Sequence, residues 1–122
     1  MKLTNFINSN YSNHTKSKCK IFFPNNLLDL FNVIDFAKKN KKKILVIGAG
    51  LSWFDTIFNT NNILVNLKNY KKNFKFDKKK GTLEVSSSFK INQILTIINK
   101  HDWSLYSIPG ADNVTIGGCI GN

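Results

Sequence analysis

The sequence predicts an α+β fold, with a small parallel βαβ unit followed by the opening of a mainly antiparallel one. Three observations carry this. "NNLLDLFNVIDFAKKN" spaces its apolar residues at helical intervals between short apolar runs. Those runs, "ILVI" from Ile44 and "NILVNL" ending at Leu67, have strand rather than helix length. "NFKFDKKKGTLEVSS" alternates apolar and polar residues on both sides of a Lys-Lys-Gly turn.

Residues 1–18 are rich in Asn, Ser and Lys without apolar periodicity, so they read as a flexible arm with one anchoring turn at Leu3, Phe6 and Ile7. Structure is expected from Cys19, where "KIFFP" makes a strand that Pro24 ends, because proline lacks the donor a continuing ladder needs. A helix over 25–39 follows an Asn cap and sets Leu27, Leu30, Phe31, Ile34 and Ala37 on one face, with lysines at the end that suits its dipole. Ile44–Ile47, stopped by glycines, reads as a strand buried on both faces, and Ile63–Leu67 as another. Strand, helix, strand implies a parallel unit with a right-handed crossover. In the hairpin, Phe74 and Phe76 face Leu83 and Val85. A second helix over 89–100 sets Ile91, Ile94, Leu95 and Ile98 on one face behind a serine-rich cap. His101 then serves as a C-terminal cation and Asp102 as a left-handed cap.

The chain has 122 residues, enough for one domain and one core. Its formal charge of +11 raises a nucleic-acid reading. Every cation is Lys, however, which removes the forked donor that reads guanine edges. The runs Lys38 to Lys43, Lys71-Lys72 and Lys78 to Lys80 fall between elements, where lysines are solvated. His14, in the polar arm, is likewise read as solvated, and the ten Phe as buried. Cys19 and Cys119 lie far apart with neither zinc-ligand spacing nor a disulfide framework. Two free thiols, no signal-type apolar segment and no membrane-length run give a cytoplasmic protein with no membrane span as the expectation.

Two glycine segments carry the chemistry. "IGAGLSWFD" follows the Ile44–Ile47 strand, where small residues bring backbone N–H groups close to an anion and Ser52 adds a hydroxyl. It is not a Rossmann fingerprint: Trp53 stands where the third glycine belongs, and no acidic residue follows about twenty positions on. "IPGADNVTIGGCIGN" closes the chain with a Pro109-Gly110 turn, the Thr115 hydroxyl and Gly117-Gly118.

From residue 20 to its end the chain resembles the FAD-binding domain of the vanillyl-alcohol oxidase type, the PCMH-type flavoprotein domain. It is similar to the sugar and polyol branch that includes decaprenylphosphoryl-ribose oxidase and the aldonolactone oxidases. The branch reads GxGxSYGD and later PGTxxxTxGGAIxxDxHG. Here Trp53 replaces the Tyr, Phe54 the Gly, and Ala111 the Thr. The resemblance implies that Gly48, Ala49, Gly50, Leu51 and Ser52, flanked by Trp53 and Asp55, wrap the FAD pyrophosphate. It implies further that Pro109, Gly110, Ala111, Thr115, Ile116, Gly117 and Gly118 line the cofactor's other side, with Asn122 at the edge. Some members attach FAD through a His where this chain has Leu51, so non-covalent FAD is expected. Cys119 falls where the family takes small residues and is read as packing. The pattern also implies that residues 19–122 are a PCMH-type domain incomplete at its C-terminus.

The expected function is therefore the FAD-binding part of an oxidoreductase acting on CH–OH groups of a sugar-like or polyol substrate. Catalytic residues are unassigned, since Asp55 and Asp112 read as turn residues, and no metal site is expected. The alternatives are a flavin reductase of the UDP-N-acetylmuramate-forming type, a basic nucleic-acid-binding module with stacking aromatics exposed on one face, and a truncated remnant with an unpaired sheet edge.

Overall fold

The computed structural model describes residues 1–70 and 72–121. The chain forms two compact units, Met1–Tyr70 and Lys71–Asn122.

The first unit holds β1 (Thr4–Ser9), β2 (Lys16–Phe22), α1 (Leu27–Lys39), β3 (Ile44–Ile47) and β4 (Ile63–Asn66). Its sheet runs β1-β2-β4-β3, with β4 parallel to both β2 and β3. The parallel strand–helix–strand unit is as expected, but β4 is inserted between the two strands that α1 connects. Ile63, Leu64 and Val65 are consequently buried on both faces. Each contributes about 1.5–3 kcal/mol by leaving water. One face packs Ile63, Val65 and Phe22 against Val33 and Ala37 of α1; the other packs Leu64 with Cys19, Ile21, Ile47 and Ile57.

Four expectations are corrected here. The arm of residues 1–18 is not flexible chain: β1 pairs antiparallel with β2 in register Thr4↔Ile21 through Ser9↔Lys16. Two of its polar residues are buried and bond to protein, Asn8 Nδ2 donating to the Ile57 carbonyl at 2.7 Å and Ser17 Oγ lying 2.9 Å from Thr60 Oγ1. β3 is not buried on both faces, because it takes the sheet edge and leaves Val46 61% exposed. The buried face of α1 is rotated: Val33 and Ala37 are buried and Leu30 and Phe36 pack beside them, while Leu27, Phe31 and Ile34 are exposed. Asn26 does cap it, its Oδ1 accepting from the Asp29 N–H at 2.9 Å. The phenylalanines divide, Phe22 and Phe89 being buried and Phe6, Phe31, Phe54 and Phe74 exposed.

The second unit holds β5 (Phe74–Asp77), β6 (Thr82–Val85), α2 (Ile91–Ile98) and α3 (Ile116–Gly121). β5 and β6 pair antiparallel with Phe74 opposite Val85 and Phe76 opposite Leu83, the expected register. Ile91, Ile94 and Ile98 are buried among Phe76, Leu83, Val85 and Phe89. The serine cap of α2 is corrected as well. Lys90 holds the cap position, and its N–H is satisfied by Gln93 Oε1 at 3.1 Å, so a side chain reaching back replaces a hydroxyl reaching forward. Asp102 ends the helix in the left-handed conformation at φ 60°, as expected, and the His101 ring lies 5.6 Å from that of Phe76. Among the described residues no helix is long and apolar enough to cross a membrane.

Candidate functional site

In the first unit the residues 48–53 leave β3 at its C-terminal end, where a parallel sheet presents loops to ligands. The loop is fastened at both ends. Asn66 Nδ2 donates to the Gly48 carbonyl at 2.9 Å, the Tyr11 N–H to the Ser52 carbonyl at 2.9 Å, and Asn10 Nδ2 to the Trp53 carbonyl at 3.0 Å. Between these fastenings the backbones of Ala49, Gly50 and Leu51 bond to no described residue. Gly50 has φ +76°, a conformation that residues with a Cβ disfavour, and a Cβ built there would have nothing within 4 Å. Free N–H groups beside open space are what an anionic ligand requires. Leu51 and Ser52 are half-buried, while Ala49, Trp53 and Asp55 are exposed; Asp55 begins a single 3₁₀ turn to Ile57.

The second segment lies in the second unit. Pro109, Gly110, Ala111 and Asp112 are exposed. Residues 112–117 are then laced to 87–92: Asn92 N–H donates to the Asp112 carbonyl, Ile91 N–H to Val114, Ile116 N–H to Phe89 and Gly117 N–H to Ser87, all at 2.8–3.0 Å. This lacing makes glycine obligatory at 117, since a Cβ there would lie 2.9 Å from Ser87 Cβ and 3.0 Å from its carbonyl oxygen. Thr115 is buried; its Oγ1 accepts from the Gly118 N–H at 3.3 Å, capping α3, and its O–H remains a donor. Ile116 is half-buried and Gly118 exposed. Asn122 lies outside the described residues. Sequence reasoning missed Asn10, Tyr11 and Asn66, which hold the first loop, since nothing local marks an Asn whose partner lies 43 residues away.

Cys119 is exposed, which corrects the expected packing role; Cys19 is buried, and desolvation pushes its thiol pKa up. At pH 8 iodoacetamide is expected to modify Cys119 at least tenfold faster than Cys19 by mass spectrometry, because the thiolate is the reactive form. Equal rates would contradict this packing. Among the described residues no cluster of His, Cys, Asp or Glu could hold a metal ion.

The model of the FAD binding domain family matches residues 20–122. The chain belongs to this family. It is 25% identical over 99 residues to mouse L-gulonolactone oxidase, covering 81% of this chain and 22% of that protein. Its fold matches a variant of cholesterol oxidase from Brevibacterium sterolicum at a TM-score of 0.82 and 19% identity, over 96% of this chain and 23% of that one. It also matches the BBE-like 1 protein of Physcomitrella patens at 0.66 and 23%, over 84% and 22%. The chain thus spans under a quarter of these relatives' lengths. The group this family binds is FAD, and an open, donor-rich loop with glycine at a positive φ fits its pyrophosphate.

Proposed function

We propose that this chain is the FAD-binding portion of an FAD-linked oxidoreductase that oxidises a CH–OH group of a sugar-like or polyol substrate. The observation that carries the reading is the loop after β3, where Ala49, Gly50 and Leu51 leave their backbone N–H groups free beside open space in a chain of this family. Those donors and the Ser52 hydroxyl would hold the pyrophosphate of FAD. Leu51 has no nucleophilic atom, so the cofactor is held there without a covalent bond. In the second unit the proposed contacts are Pro109, Gly110, Ala111, Thr115, Ile116 and Gly118, with Gly117 setting the backbone course and Asn122 carried over from the family pattern. When bound, FAD supplies the hydride acceptor, and the protein supplies binding and orientation. The curated relative named for a sugar lactone favours the sugar-like class; the cholesterol oxidase likeness bears on the fold alone.

Protein expressed from its complete reading frame is expected to purify yellow, to release FAD on denaturation, and to lose its visible absorbance anaerobically with a sugar lactone or polyol. A folded, colourless protein that takes up no added FAD overturns the reading. Bleaching by NADPH and by no alcohol overturns the oxidase assignment in favour of a reductase.

A further inference from the structure

The turn between β1 and β2 stands against the candidate pyrophosphate loop, and it lies outside the residues the family model matches. We infer that Asn10 and Tyr11 are positioning residues that clamp this loop in its ligand-ready shape. The inference rests on the functional reading above. Three contacts from these two residues reach the loop: the Tyr11 N–H to the Ser52 carbonyl, Asn10 Nδ2 to the Trp53 carbonyl, and the Tyr11 ring 5.1 Å from the Trp53 ring at a tilt of 43°. Asn66 fastens only the other end, at Gly48. Without the turn, the stretch from Ala49 to Trp53 has no hydrogen bond to the described residues and becomes the kind of sparsely contacted loop that moves. A moving loop must be ordered when it binds an anion, and that ordering is subtracted from affinity.

Asn10 also carries a feature that stability does not explain. Its Oδ1 is buried and accepts from no described residue, an arrangement that opposes folding. An alanine there loses one hydrogen bond and relieves one unmet acceptor, so its net effect on stability is small. What the asparagine uniquely supplies is the donor aimed at the Trp53 carbonyl. The clamp therefore acts on loop order and cofactor affinity while leaving the sheet alone.

The test compares wild-type protein with Asn10→Ala/Tyr11→Ala, Asn10→Asp and Tyr11→Phe, measuring backbone order parameters by NMR relaxation, the thermal midpoint and FAD affinity. The double variant keeps the Tyr11 N–H to the Ser52 carbonyl but loses the Asn10 amide and the Tyr11 ring, and the order parameter of Trp53 is expected to fall from about 0.85 to below about 0.6. FAD affinity should drop roughly tenfold, with the midpoint within a few degrees of wild type. Tyr11→Phe keeps the ring and should behave as wild type. Asn10→Asp sets a carboxylate oxygen against the Trp53 carbonyl and should loosen the loop in a chain whose turn is otherwise intact, so a poorly folding double variant does not remove the test. Unchanged order parameters, or a loosened loop with unchanged FAD affinity, overturn the clamp. A wild-type protein that binds no FAD overturns the functional reading, and the clamp's role in affinity falls with it.

Discussion

A Gly50→Val chain is expected to lose FAD affinity by a factor of a hundred or more, about 3 kcal/mol, while its sheet stays folded. Two effects add. Gly50 sits at φ +76°, where a β-branched residue is strained by roughly 1–2 kcal/mol, and relief of that strain turns the neighbouring N–H groups away. The new methyl groups also enter the open space that the pyrophosphate would take, since nothing from the protein lies within 4 Å of a Cβ there. Gly50→Ala should fall between the two, near tenfold. Titration of added FAD, followed by quenching of its fluorescence, checks the series. Wild-type affinity in a folded Gly50→Val chain would remove this loop from the cofactor site.

Leu64→Ala should lower the stability of the first unit by about 2–5 kcal/mol, because the side chain is fully buried and alanine leaves a cavity under both neighbouring strands. Leu64 packs with Cys19, Ile21, Ile47 and Ile57, so the loss spreads to β2 and β3. It also reaches the site, since β4 carries Asn66, whose amide holds Gly48. Each unit has one tryptophan, Trp53 in the first and Trp103 in the second, so fluorescence of single-tryptophan variants in urea separates their unfolding. The midpoint reported by Trp53 should fall while that reported by Trp103 holds. If both held, Leu64 would not be the keystone its burial indicates.

Legibility followed the range of the forces involved. The extent and Asn26 cap of helix α1 and the register of the β5–β6 hairpin were readable, because capping, turn chemistry and alternation act within a few residues. Of the two glycine segments, close backbone approach is realised at Gly117 against Ser87, whereas Gly50 and Gly110 face open space. The N-terminal hairpin was not readable: Asn8, Asn10 and Ser17 look like solvated loop until their partners at 53–60 are in place. Nor was the orientation of α1, since Leu27, Phe31 and Ile34 form as good a stripe as Leu30, Val33 and Ala37, and only the position of the sheet selects one. The apolar run Ile44–Ile47 reads alike at the centre of a sheet and at its edge; the insertion of β4 put it at the edge.

By itself, then, the sequence determined α1, β3, β4, the β5–β6 hairpin and α2, and membership in a family that binds FAD, but it marked neither β1 nor α3. Tertiary structure decided strand order, which helix face is buried, and that Asn10, Tyr11 and Asn66 hold the candidate cofactor loop. The physical reason is separation along the chain. Periodicity and caps are local energies written in neighbouring residues, whereas a hydrogen bond spanning 43 positions leaves no trace in either neighbourhood until the sheet brings its ends together.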